Sequence, residues 1–382
     1  MNSTDKLFLL DAYALIYRAY YAFIKNPRIN SKGFNTSAIL GFVNTLEEVL
    51  KKENPTHIGV AFDPSGPTFR HEAYEQYKAQ REETPEAIRL SVPIIKDIIR
   101  AYRIPILEVS GYEADDVIGT LATEAGRQGI ITYMMTPDKD YGQLVSDNVF
   151  MYRPKHSGGF EVMGIDEIKA KFNIRSTEQV IDMLGLMGDS SDNIPGCPGV
   201  GEKTAQKLVA EFGSIENLLA HTDQLKGALK TKVEANREMI TFSKFLATIK
   251  VDVPIKLDMT TLVREEPDEE KLRKIFEELE FRTLIDRVLK KSGAPLSSSS
   301  NSVSPDLYAG TLFARPVDSP TPENNGPVQG DLFANFADNG TGNAENSNLT
   351  HLEMLDVDYQ LIDTEEKEAK LFKSYLQQKF SQ

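Results

Sequence analysis

GYEADD, at residues 111–116, places Glu113, Asp115 and Asp116 within four positions. Glu113 and Asp116 are three apart, so on a helix they share one face. Val117, Ile118, Leu121 and Ala122 follow with helical periodicity. The preceding residues 104–109, IPILEV, read as a strand. The acids therefore sit where a strand hands over to a helix. Carboxylates this close repel, and one of them would hold its proton. A divalent cation relieves that cost, and hard ions such as Mg²⁺ prefer oxygen ligands. The competing account is an acidic helix N-terminus, which the macrodipole favours.

Outward from this stretch the same pattern recurs. Residues 6–10 form an apolar strand ending in Asp11, and residues 57–62 a second ending in Asp63. Residues 130–135 form another and run into TPDKD, with Asp138 and Asp140 on one side of extended chain. Helices are predicted over 13–23, from 36 or 37 to about 50, and over 92–102. Strands alternating with helices predict an α/β domain with a mostly parallel central sheet flanked by helices. Ligands gather at the carboxyl ends of such strands. One acid after a strand is an ordinary cap or turn; four strands in a row ending in acids require another explanation. Asp189 and Asp192, three apart in residues 185–192, add a further pair.

PGCPGVGEKTA follows at 195–205. Gly196, Gly199 and Gly201 fit a tight turn between two helices whose backbone N–H groups can meet a phosphate. Residues 202–212 read as the second helix, with Lys203 and Lys207 on its exposed face beside Thr204. Between Asp63 and the acidic stretch, Arg70, Lys78 and Arg81 are interleaved with Tyr74 and Tyr77.

The net charge of −14 argues by itself against a polyanion partner. Its distribution removes that objection. Residues 292–382 carry 5 basic and 13 acidic side chains, against 38 and 44 in residues 1–291. Without the nine acids named above, the first 291 residues stand at +3. No apolar run is long enough to span a bilayer, and the start of the chain does not read as a signal peptide. The one cysteine, Cys197, excludes an internal disulfide and a cysteine-based zinc cluster, and fits a reducing, cytoplasmic setting. Residues 292–350 have linker composition, rich in Ser, Asn, Gly and Pro. Residues 351–382 read as one strand (357–362) and one amphipathic helix (365–379), the start of another domain. Within the linker, Gln329, Leu332 and Phe333 form a Gln-x-x-Leu-Phe string, and disordered segments of this kind can dock by such anchors.

The chain resembles the N-terminal 5′-nuclease domain of bacterial DNA polymerases I, within the flap endonuclease family. The resemblance lies in LFLLDAYALIYRAYYAF (7–23), VAFDPSGPTFRHEAYEQYKAQREETPE (60–86), GYEADDVIGTLA (111–122), TPDKDYGQLV (136–145), MGDSSDNIPGCPGVGEKTAQKL (187–208) and FGSIENLL (212–219). It implies a nuclease domain over 1–180 and a helical DNA-binding subdomain over 181–291. It implies one Mg²⁺ (or Mn²⁺) held mainly by Asp11, Asp63, Glu113, Asp115 and Asp116. A second would be held by Asp138, Asp140, Asp189 and Asp192. Arg70, Lys78 and Arg81 become contacts to DNA, the last two also candidates to polarise the scissile phosphate. The stretch around 69–85 becomes a helical arch for single-stranded 5′ ends. Gly196–Gly201 becomes a helix–three-turn–helix that grips duplex phosphates with a bound K⁺. The implied activity is two-metal hydrolysis of DNA at 5′ flaps, nicks and ends, including RNA-primed strands, by a monomer in the nucleoid, with no DNA synthesis. The string at 329–333 resembles the peptide by which bacterial replication proteins dock on the sliding clamp. The rival readings are a non-catalytic junction-binding module and a PIN-like ribonuclease; neither needs both the full acid set and the glycine turn.

Overall fold

The computed structural model describes residues 5–155 and 158–289. The linker, the strand and helix expected beyond it, and Gln329, Leu332 and Phe333 lie outside the described residues. Among the described residues six strands form one sheet: β1 (Lys6–Asp11), β2 (His57–Ala61), β3 (Ile106–Leu107), β4 (Ile131–Met135), β5 (Val149–Pro154) and β6 (Phe160–Met163). Their order is β3-β2-β1-β4-β5-β6, parallel except for the antiparallel β5–β6 pair. The α/β class with a mostly parallel sheet is therefore as the strand–helix alternation indicates.

The central strand shows why the sheet is buried on both faces. Phe8 and Leu10 of β1 point to one core, Leu7 and Leu9 to the other, and all four are fully buried. Successive strand side chains alternate faces, so an unbroken apolar run such as LFLL requires cover on both. The Phe8 face is covered by α1 (Ala12–Ala22), α2 (Ser37–Lys52) and α4 (Glu86–Ala101). The short α3 (Phe69–Ala73) lies between α2 and α4 in the chain. The Leu7 face is covered by α5 (Ala114–Arg127) and by helices that continue the same core without a break. These are α6 (Ile165–Phe172), α7 (Gln179–Met187), α8 (Glu202–Phe212), α9 (Ile215–Ala220), α10 (Gly227–Ala235) and α11 (Arg237–Ala247). After α12 (Met259–Leu262) the chain returns to the Phe8 face with α13 (Glu269–Glu278) and α14 (Arg282–Leu289). In acidic α13 the charges face water while Leu272 and Phe276 are fully buried. Among the described residues no helix is long and apolar enough to cross a membrane.

Three local readings need revision. The strand expected over 104–109 is reduced to Ile106–Leu107, an edge strand next to Pro105, which has no N–H to give. The helix expected from 92 starts at Glu86 and carries Pro93 inside it. The β5–β6 hairpin is absent from the sequence reading, although two apolar runs flank a Ser-Gly-Gly turn signal at 157–159.

The return of α13 to the sheet makes a prediction. Phe276→Ala, far in sequence from the nuclease core, should cost about 3–5 kcal/mol of stability in urea unfolding. A loss under about 1 kcal/mol would mean that α13 is not part of that core.

Candidate metal centre and nucleic-acid interface

The acids converge because of where their elements end. Asp11 closes β1: its Oδ1 accepts the Ala14 N–H (3.1 Å), capping α1, and its Oδ2 accepts from Thr136 Oγ1 (3.1 Å) and the Tyr141 hydroxyl (3.2 Å). Asp63 follows β2, and its Oδ1 accepts the Ala114 N–H (2.7 Å) at the first turn of α5. Asp138 leads into a 3-10 turn (Lys139–Leu144) after β4, its Oδ1 accepting the Asp140 N–H (2.9 Å). Asp189 and Asp192 lie just beyond α7 in a loop closed by paired hydrogen bonds between Asp189 and Ile194. Asp189 Oδ1 accepts the Ser191 N–H (2.7 Å), and its Oδ2 faces the Lys139 ammonium at 2.9 Å.

Glu113, Asp115 and Asp116 each offer a carboxylate oxygen within 4.8 Å of the others. The three differ in what already satisfies them. Asp116 is fully buried and accepts four hydrogen bonds, from Arg70 Nη1 and Nη2 and from the backbone N–H groups of Glu113 and Lys250. Glu113 accepts from Arg70, from the Tyr77 hydroxyl (2.9 Å) and from Lys78 Nζ (2.6 Å). Asp115 Oδ1 is buried with no hydrogen-bond partner, and so is Asp140 Oδ1. Arg70 Nη1 lies 3.9 Å from Asp115 Oδ1.

Electrostatics divides the acids the same way. Despite burial, Lys78 and Arg81 pull Asp192 down to about 2. Lys78 and then Arg70 hold Glu113 below the usual carboxylate range against its burial. Five of the others, Asp11, Asp63, Asp115, Asp138 and Asp140, go the other way. Burial, then Asp63, pushes Asp11 up to about 7. Burial also raises Asp63 and Asp138. Asp115 and Asp140 stand well above their ordinary values through burial and through Asp116 and Asp138 respectively. Five carboxylates thus lack the positive charge their ionised forms require. Oxygen-only donors that repel one another, with Asp115 Oδ1 and Asp140 Oδ1 unpartnered, are the donor set a hard divalent cation fits.

Lys78 and Arg81 lie at this centre. Lys78 has a left-handed backbone (φ 56°) and bridges Glu113 and Asp192, the latter at 3.6 Å. Arg81 binds Asp192 and the Ser191 carbonyl. The expected arch is five helical residues followed by turns, laid across the acids. Gln80 donates to the Ser190 carbonyl (2.6 Å) and Asn193 to the Gln76 carbonyl (2.7 Å). Arg70 corrects the sequence reading. It is 1% exposed, with its guanidinium turned inward, so it is a buried counter-cation of the acids and has no surface to offer DNA. Its interleaving with tyrosines reads as a basic surface, and the partners that bury it, the Leu246 and Thr248 carbonyls, lie far along the chain. Tyr77 and Tyr141, both buried and both bonded to site acids, were missed as site residues.

The glycine turn also divides by role. Gly196 (φ 62°) packs against Gly188 (φ 72°) so closely that a Cβ on Gly196 would lie 2.3 Å from Gly188 N. The Gly196 N–H is used on Ser243 Oγ (2.9 Å), so this glycine closes the turn from inside. Gly199 (φ 76°) and Gly201 lie at its exposed end, and at Gly201 a Cβ would meet nothing within 4 Å. Lys203 and Lys207 are exposed on α8 and Thr204 is half-buried beside them.

Residues 6–173 match the family model of the 5′-3′ exonuclease N-terminal resolvase-like domain, and residues 175–270 that of the 5′-3′ exonuclease C-terminal SAM fold. The DNA polymerase I of Bacillus subtilis is 42% identical over 291 residues, covering 75% of this chain and 33% of that protein. That of Bacillus caldotenax is 41% identical over 286 residues, covering 74% and 32%. The chain therefore spans about a third of the length of these relatives. Among solved structures, a bacteriophage T5 flap endonuclease in complex with DNA and metal ions shares the fold. Its TM-score is 0.53 at 22% identity, covering 72% of this chain and 99% of that one. Two consecutive family models, together taking in most of the described residues, settle the assignment: the chain belongs to the 5′-3′ exonuclease family.

Proposed function

We propose that the chain is a structure-specific 5′-nuclease that hydrolyses DNA phosphodiesters at 5′ flaps, nicks and 5′ ends. In this reading it is the nuclease part of a DNA polymerase I, acting in primer removal and repair. The observation that carries it is the convergence of five buried carboxylates, Asp11, Asp63, Asp115, Asp138 and Asp140, two of them with an unpartnered oxygen, in a fold that also carries the glycine turn. Divalent cations held there, Mg²⁺ first among them, would supply Lewis acidity and neutralise charge at the phosphodiester.

The chain's own residues do the rest. Lys78 and Arg81 present N–H donors at the rim of the cluster, where the oxygens of a scissile phosphate would gain negative charge. The Tyr77 hydroxyl lies 2.9 Å from both Glu113 Oε2 and Asp192 Oδ2 and shares its single proton between them, which ties both acid groups to the segment that carries Lys78. Gly199, Gly201, Lys203 and Lys207 supply backbone approach and positive charge for a duplex backbone, which makes binding salt-dependent. Docking of Gln329, Leu332 and Phe333 on a sliding clamp is part of the same proposal. It is tested by titrating a labelled 324–338 peptide against the clamp.

Cleavage of a labelled 5′-flap DNA, with Mg²⁺ and with EDTA, tests the core of this reading. Cutting near the flap junction in Mg²⁺ and none in EDTA is expected; binding without cutting would leave a junction-binding module. RNA cleavage in preference to the flap would favour the ribonuclease.

The cluster also predicts a stability effect. Asp140 has a raised folded pKa, so its contribution is fully present below the unfolded carboxylate value, near 4, and is lost as pH rises through the folded one. At pH 8 in EDTA, Asp140→Asn should therefore be more stable than wild type, by about 1 kcal/mol or about 2–4 °C in Tm. Mg²⁺ should raise the wild-type Tm and close the gap, and the variant should be inactive. A lower Tm for the variant in EDTA would show that the acids are not in conflict.

Within the turn, Gly196→Ala should destabilise the fold, because its Cβ collides with the Gly188 backbone. Gly201→Val should leave Tm unchanged and weaken duplex binding, with cleavage recovering at saturating protein. Equal effects of the two on Tm would remove the distinction.

A further inference from the structure

Arg70 satisfies every donor it has. A guanidinium carries five N–H groups. Here Nε donates to the Leu246 carbonyl (2.9 Å), Nη1 to Glu113 Oε2 (3.0 Å) and Asp116 Oδ2 (2.8 Å), and Nη2 to Asp116 Oδ1 (2.8 Å) and the Thr248 carbonyl (2.8 Å). Two acceptors thus belong to the end of α11, where Thr248 is the C-cap, and three to the acids.

The other attachments of α11 give this its meaning. Three residues before Leu246, Ser243 is fully buried and receives the Gly196 N–H that closes the glycine turn (2.9 Å). Lys244 ties the helix to α7 through Asp182 Oδ1 (2.6 Å). A single turn of α11 therefore holds the glycine turn at Ser243 and the acid cluster through Arg70. Neither Arg70 nor Ser243 is on the surface.

We infer that Arg70 is a positioning residue for cleavage: it fixes Glu113 and Asp116 to the end of α11, and so sets the carboxylates in register with the turn that holds the duplex. This rests on the nuclease reading above. A planar fork is required, because five acceptors on two sides cannot be met by an ammonium with three donors. Charge alone at this position is not sufficient.

The test uses the full chain with Arg70→Lys and Arg70→Met. Flap-DNA affinity in EDTA should stay within about 3-fold of wild type, because the duplex-holding residues are untouched. The single-turnover rate at saturating protein should fall about 100-fold, the scale of a misplacement of about 1 Å. In Arg70→Lys the half-saturating Mg²⁺ concentration should rise, and excess Mg²⁺ should recover part of the rate. A readout independent of activity is the Mg²⁺-dependent rise in Tm of the free protein, which should move to higher Mg²⁺ in both variants. A saturated rate within a few-fold of wild type, or weakened DNA binding with an intact saturated rate, overturns the inference. So does failure of both variants to fold even in Mg²⁺, which makes Arg70 a folding residue. If wild type leaves the flap uncut, the nuclease reading fails instead, and the Tm titration still decides whether Arg70 sets the carboxylates.

Discussion

Like-charge repulsion governs how this chain is put together. Nine acids approach one end of a parallel sheet, and burial makes each ionised carboxylate more costly than it would be in water. The fold answers with two kinds of compensation. Arg70 and Lys78 are drawn inward to Glu113, Asp116 and Asp192, Lys139 pairs with Asp189, and the exposed Arg81 reaches Asp192 from the surface. The others receive backbone N–H groups and hydroxyls, as at Asp11 and Asp63, or are left short of partners, as at Asp115 and Asp140. The shortfall is local, which is how a fold can carry it; the two apolar cores on either side of the sheet supply the stability that tolerates it.

That division explains what could be read from the sequence. Apolar runs ending in Asp11, Asp63 and, a few residues on, Asp138 reveal the strands, the mostly parallel class of the sheet and the end at which the acids meet, since periodicity is a local property. Which acid has which partner is not local. Asp116 is bonded by Arg70, 46 residues away, and by the Lys250 N–H, 134 residues away. The spacing of GYEADD sets Asp116 on the same face as Glu113, but it does not show that Asp116 is saturated while Asp115 is short of a partner. Arg70 failed as a surface contact for the same reason: whether an arginine beside tyrosines faces solvent depends on α11, which lies far along the chain. The β5–β6 hairpin was a different kind of miss, because its turn chemistry was present and went unused.

The buried ion pairs around Arg70 set a limit on how the site can vary. Taking one partner from a buried pair leaves an uncompensated charge and costs about 3–5 kcal/mol. The acids that repel one another therefore depend on a cation that the same acids hold in place. Through Arg70 this reciprocity links α3, α5 and the end of α11.

Gly188 and Gly196 have a consequence of another kind. Their backbones cross at a distance that excludes a Cβ on either, and the residues between them include both Asp189 and Asp192. The segment is thus a short buckle with an acid-bearing side and a turn-bearing side that share one closure. Chimaeras made with related nucleases should inherit this buckle whole. A crossover placed between 188 and 196 would join halves of two different closures, whereas one placed before α7 or after α8 would transplant acids and turn as a unit.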